Sequence, residues 1–101
     1  MKYFMLILLL FGQAALATEC EITGARVGFT GLDGADSRVF ATINGHTANG
    51  CSCSSVRFYP TRTDTEKALS ILLAARFSAK TVRIDLQDSS NCNTAYRVYV
   101  E

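Results

Sequence analysis

Apolar side chains alternate with polar ones in five stretches of the chain, and in one stretch they recur at helical spacing. Glu21 to Thr30 comes first, with Ile22 and then Ala25, Val27 and Phe29 as its apolar positions. The phase slips by one at Gly24. A glycine at a phase slip predicts a β-bulge, which bends and twists a strand. Gly28 adds a second flexible point, and a long bent strand can serve two sides of a small barrel. Arg38 to Ile43 predicts a strand with Val39, Ala41 and Ile43 on one face and Arg38, Phe40 and Thr42 on the other. Ser52 to Tyr59 has Val56 and Phe58 inward and Arg57 and Tyr59 outward. Thr81 to Leu86 sets Val82, Ile84 and Leu86 against Arg83 and Asp85. Thr94 to Glu101 sets Tyr96, Val98 and Val100 against Arg97 and Tyr99. Gly31 to Ser37, Asn44 to Gly50 and Gln87 to Asn93 carry the Gly, Asn, Asp and Ser of loops.

Thr63 to Lys80 follows a different period. Thr63-Asp64-Thr65-Glu66 fits a capping box, with the Thr63 hydroxyl and the Glu66 carboxylate exchanging bonds with each other's amides. Pro60 stops the preceding strand, since it has no N–H for a ladder. Leu69, Leu72, Leu73 and Phe77 then draw an apolar stripe, widened by Ile71, Ala74 and Ala75. Arg76 and Lys80 place positive charge near the C-terminal end, where the helix dipole favours it. The stripe predicts a helix lying deep against a sheet.

The order is therefore strand, strand, strand, helix, strand, strand. A mainly β domain with one helix in that position matches the OB-fold, a five-stranded, partly open Greek-key barrel. Gly24 stands where such a barrel needs its first strand to bend. The competing architecture is an open antiparallel sheet with one helix across it.

Met1 to Ala17 reads as a signal peptide, with Lys2 in the n-region, an apolar run from Phe4 to Phe11, and Ala15-Leu16-Ala17 as the cleavage site. The run is too short to span a bilayer. Cleavage removes Lys2, one of the ten basic residues, so nine remain against nine acidic. A formally neutral domain lacks the basic surface that nucleic acids or anionic membranes require. All four cysteines, Cys20, Cys51, Cys53 and Cys92, lie beyond the leader. An even count in a small exported domain predicts two disulfides. Cys51 and Cys53 are too close in sequence to pair comfortably, so one goes to Cys20 and the other to Cys92, in an order the sequence leaves open. The expected location is secreted or periplasmic.

No catalytic constellation stands out, no cofactor is expected, and a non-enzymatic role is the expectation. His46 is the single histidine, and nothing near it in sequence would orient it as a base. Asp85 and Asp88 read as surface charge. Asp33 and Asp36 lack the EF-hand spacing and read as a solvated loop. Zinc held by His46, Cys51, Cys53 and Cys92 is the rival to the disulfides, although C-x-C spacing is unlike the usual zinc knuckle. In an OB-fold, ligands meet the face of strands 2 and 3 and the flanking loops. Here that face carries Arg38, Phe40, Thr42, Arg57 and Tyr59, with Asp33, Asp36 and Ser37 in one loop and Asp88 and Asn91 in the other. Aromatic faces beside hydrogen-bonding groups suit a sugar or a protein neighbour.

The segment from Ala68 to Ile84, Ala-Leu-Ser-Ile-Leu-Leu-Ala-Ala-Arg-Phe-Ser-Ala-Lys-Thr-Val-Arg-Ile, resembles the helix-turn-strand of the B subunits of subtilase-cytotoxin-like and typhoid-toxin-like proteins. The resemblance covers about the last half of the chain. It implies a small exported bacterial OB-fold protein that forms a homopentamer around a helix-lined pore and binds sialylated or related glycans. The family's sugar-contacting residues are carried onto no position of this chain. The alternative expectation is a protein-interaction or assembly subunit, or an inhibitor of a secreted enzyme.

Overall fold

A computed structural model describes residues 18–101, and the predicted leader lies outside them. The chain folds as β1 (Cys20–Leu32), β2 (Val39–Asn44), β3 (Thr47–Asn49), β4 (Ser55–Phe58), α1 (Thr65–Ser78), β5 (Thr81–Leu86) and β6 (Ala95–Val100). The described residues are mainly β with one helix. The strands form a mixed sheet in which β1 pairs with both β2 and β5, so β1, β2, β4, β6 and β5 close into a ring. The β4–β6 contact, Phe58 opposite Ala95, is the one parallel pairing described. An open sheet is thereby replaced by a closed wall.

β1 is the strand that permits closure. Its register slips between Ile22 and Ala25 and again between Val27 and Thr30. Gly24 takes φ +67° at the first slip, a left-handed conformation that glycine adopts without steric cost. Gly28 sits at the second, where a Cβ would lie 2.5 Å from the Thr42 hydroxyl. The bend sends the first part of β1 between β3 and β5 and the later part along β2.

The sequence order needs one correction. The stretch read as a loop from Asn44 to Gly50 contains β3, whose three residues pair with Glu21, Ile22 and Thr23. Among the described residues there are six strands, and the helix follows the fourth. A three-residue strand with one half-buried side chain, Ala48, has too short a pattern to betray itself by alternation.

Elsewhere on the wall the alternation holds. Val39 and Ala41 on β2, Val56 and Phe58 on β4, and Val82, Ile84 and Leu86 on β5 are fully buried. Each large one among them contributes about 1.5–3 kcal/mol by leaving water. β6 keeps its predicted phase, with Val98 and Val100 opposite the buried Ile84 and Val82, but it carries a bulge that the pattern did not show. Its register against β5 slips at Leu86, which puts Ala95 in the core, while Tyr96 and Val98 are half-buried and Val100 is exposed. Asp85 is also not the surface charge its position suggested. It is 4% exposed and lies between Arg83 at 3.0 Å and Arg97 at 3.4 Å. Two guanidinium groups offset the cost of taking its carboxylate out of water. Arg83 also reaches Glu21 at 2.8 Å, and its hydrogen bond to Asp85 holds its pKa above the ordinary value.

The helix differs from its predicted stripe in two ways. Asp64, not Thr63, is the N-cap, accepting from the Lys67 amide at 3.2 Å. Thr63 is still part of the turn after Pro60, its amide bonded to the Tyr59 carbonyl. The buried positions are Thr65, Ala68, Leu72 and Ala75. Leu72 alone of the predicted stripe is fully buried, Leu69 packs partly against the core, and Phe77 is 84% exposed. Small side chains on the inner side let the helix backbone approach the wall closely. At its end Ala79 takes φ +56°, and the Lys80 amide reaches the Ala75 carbonyl at 3.0 Å. That is a Schellman closure, usually made by glycine.

The cysteines pair as Cys20–Cys51 and Cys53–Cys92, with Cα separations of 5.8 and 6.0 Å. This resolves the order left open by sequence and places the folded chain in an oxidising, extracytoplasmic setting. No free cysteine remains among the described residues to hold zinc. Among the described residues no helix is long and apolar enough to cross a membrane.

Candidate ligand-binding face

β2 and β4 pair with Phe40 opposite Arg57 and Val39 opposite Phe58. Because 39, 41, 56 and 58 are buried, 38, 40, 42 and 57 are forced to the outer side of the wall. The turn from Asp33 to Arg38 is closed by an Asp33 amide to Arg38 carbonyl bond of 2.7 Å. Gly34, at φ +92°, passes under the Arg38 guanidinium, where a Cβ would collide with Nη2.

Two arginines organise the face. Arg38 binds Asp36 at 2.6 Å and lies over the Tyr59 ring, 5.6 Å from its centroid. Its pKa is raised, first by the hydrogen bond to the Tyr59 hydroxyl and then by Asp36. Arg57 binds Asp33 and reaches the Asn93 side-chain oxygen at 3.4 Å. The hydrogen bond from Arg57 holds the Asp33 carboxyl below the usual carboxylate range. Asp33 and Asp36 are thus each paired with an arginine. Ser37 is exposed, with φ +62°.

The loop from Gln87 to Asn93 is drawn against β4 by the Cys53–Cys92 bridge and by an Arg57 amide to Cys92 carbonyl bond of 3.1 Å. Asp88 shapes this loop. It accepts from the Ser90 hydroxyl at 2.7 Å and the Ser90 amide at 2.9 Å, which lowers its pKa. Tyr59, Thr61, Arg62, Asn91 and Asn93 then line a pocket of about 250 Å³ beside the two arginines. Arg62 donates to the Gln87 side chain.

The predicted residues therefore gather unevenly. Arg38, Arg57 and Tyr59 share one polar surface with Asp33, Asp36 and Asn91. Phe40 is half-buried, its ring edge 3.7 Å from where Gly31 would carry a Cβ. Thr42 serves β1 instead, since its hydroxyl accepts the Phe29 amide at 2.7 Å across the second bulge. Asn93, Thr61 and Arg62 escaped sequence reading. They lie in loops without periodicity, and only the position of Cys92 hinted that residues near it would be pinned to β4.

His46 stands apart. Its Nδ1 is buried without a hydrogen-bond partner among the described residues, so no carboxylate orients the ring as a general base requires. No known family, curated protein or solved structure matches this chain.

Proposed function

We propose that this is an exported, non-catalytic binding module on an OB-type barrel, and that its ligand is a carbohydrate. The OB reading is supported by the ring order β1-β2-β4-β6-β5, the helix between β4 and β5, and the bent first strand. β3 then counts as an insertion in the turn after β2. In such barrels ligands meet the face and loops that here hold Arg38, Arg57, Tyr59 and the 87–93 loop.

One observation carries the sugar reading: the Tyr59 ring, held by Arg38, opens onto a pocket edged with the side-chain amides of Asn91 and Asn93. An aromatic flank takes the C–H face of a pyranose, and amides exchange hydrogen bonds with its hydroxyls. On a glycan array the protein should show saturable retention of a subset of sugars, weakened by Tyr59→Ala or Arg57→Ala in variants that remain folded at the assay temperature. No retention at high protein concentration contradicts the assignment.

A second reading has its own support. Phe29, Leu32 and Phe77 are 73%, 65% and 84% exposed, which suits a protein neighbour or further copies of the chain. A pentamer by light scattering would favour the toxin-B-subunit-like assembly. Co-purification of a defined protein with a monomeric chain would favour an interaction subunit or inhibitor.

A further inference from the structure

We propose that the cleft between the last turn of α1 and the junction of β1 with β2 binds a small organic anion, an oxyanion group carried on an apolar body. The cleft holds about 480 Å³, within the range of small-molecule sites. Arg26, Arg76 and Lys80 line it with Asn44, and no carboxylate does.

The cations of this domain are unequally satisfied. Arg38, Arg57, Lys67, Arg83 and Arg97 each face a carboxylate. Arg26, Arg62, Arg76 and Lys80 enter no ion pair among the described residues; Arg62 lies elsewhere, bonded to the Gln87 side chain, and the other three meet in the cleft. Arg76 donates to the Gly28 carbonyl, which orients its guanidinium and leaves further N–H groups for a ligand. Like charges gathered without a counterion repel one another, and a bound anion relieves that repulsion. The negative end of the helix does not oppose it strongly, because the Ala75 and Arg76 carbonyls accept the Lys80 and Ala79 amides. Two guanidinium groups suit an oxyanion in bidentate fashion. Val27 and the exposed Phe77 supply an apolar flank. The ligand class is therefore an aryl or similarly apolar phosphate, sulfate or carboxylate.

No residue of this cleft belongs to the Arg38–Tyr59 face, so the inference does not rest on the carbohydrate reading. Phenyl phosphate, phenyl sulfate and benzoate, with inorganic phosphate and benzyl alcohol as controls, would be titrated by calorimetry. Expected are saturable binding of the aryl anions, phosphate tightest, weakening with added salt, and none for benzyl alcohol. The double variant R26Q/K80Q should lose about tenfold in affinity. Its melting temperature should not fall, since neither side chain is in an ion pair and their mutual repulsion is removed. Phe77→Ala should bring phenyl phosphate to the level of inorganic phosphate. No saturable heat up to about 10 mM phenyl phosphate, or equal affinity in R26Q/K80Q, overturns the proposal.

Discussion

Two surfaces of this small barrel both carry arginines, and they differ in how those arginines are answered. On the β2–β4 face, Arg38 meets Asp36 and Tyr59, and Arg57 meets Asp33 and Asn93. In the cleft at the end of α1, Arg26, Arg76 and Lys80 meet no carboxylate. Charges already paired offer a ligand fixed dipoles and an aromatic flank, so recognition there depends on shape and hydrogen bonding and little on salt. Unpaired charges attract by sign, and that attraction weakens within a Debye length. The same residue type thus serves two chemistries, according to what the fold places beside it.

The comparison can be broken at its base by removing the wall that carries both surfaces. Phe58 is fully buried beneath the β2–β4 face, and Phe58→Ala should cost about 3–5 kcal/mol in urea unfolding and abolish binding at both surfaces. The double variant C53S/C92S removes the bridge that pins the 87–93 loop. It should cost about 2–4 kcal/mol and abolish sugar retention. Phenyl phosphate binding should persist, which separates the two surfaces.

Acid should act on the face more than on the cleft. Asp33 and Asp88 have lowered pKa values, so their contributions are complete above the unfolded carboxylate value and are lost as pH falls through the native one. Stability should therefore decline below about pH 4. Asp33→Asn should flatten that decline, and it should also leave Arg57 unpaired and make sugar retention salt-sensitive. Urea midpoints at pH 7 and pH 3 check the first part, and retention at two salt concentrations checks the second. At the cleft, Ala79→Gly removes a left-handed alanine and should stabilise by up to about 1 kcal/mol. Phe77→Ala should change stability by no more than about 0.5 kcal/mol, because the ring is in water.

Much of the wall was legible in the sequence. Val39, Ala41 and Ile43 alternate with Arg38, Phe40 and Thr42 because a strand with one wet face must do so, and Gly24 marked the bend. The even cysteine count foretold two bridges. The helix was read in the wrong orientation because large apolar residues were weighted over small ones. Close approach of the backbone selects Ala68 and Ala75 for the inner side and leaves Phe77 outside. Asp85 was misread because its burial depends on Arg97, a cross-strand partner that only the register identifies. The outward faces of β2 and β4 were foreseen, and so was Asn91. The contribution of Asn93, Thr61 and Arg62 was not, since loops carry no periodic signal. The cleft was invisible for another reason: Arg26, Asn44 and Lys80 are distant in sequence and meet only through the ring closure.

Amide shifts recorded by NMR, while an array-retained sugar and then phenyl phosphate are added to one sample, test the separation of the two surfaces most directly. The expected result is two saturable sets that do not overlap, residues 38–42, 57–62 and 91–93 for the sugar and residues 26–28, 44 and 76–80 for the anion. A single common set, or no saturable shift with either compound, would contradict it.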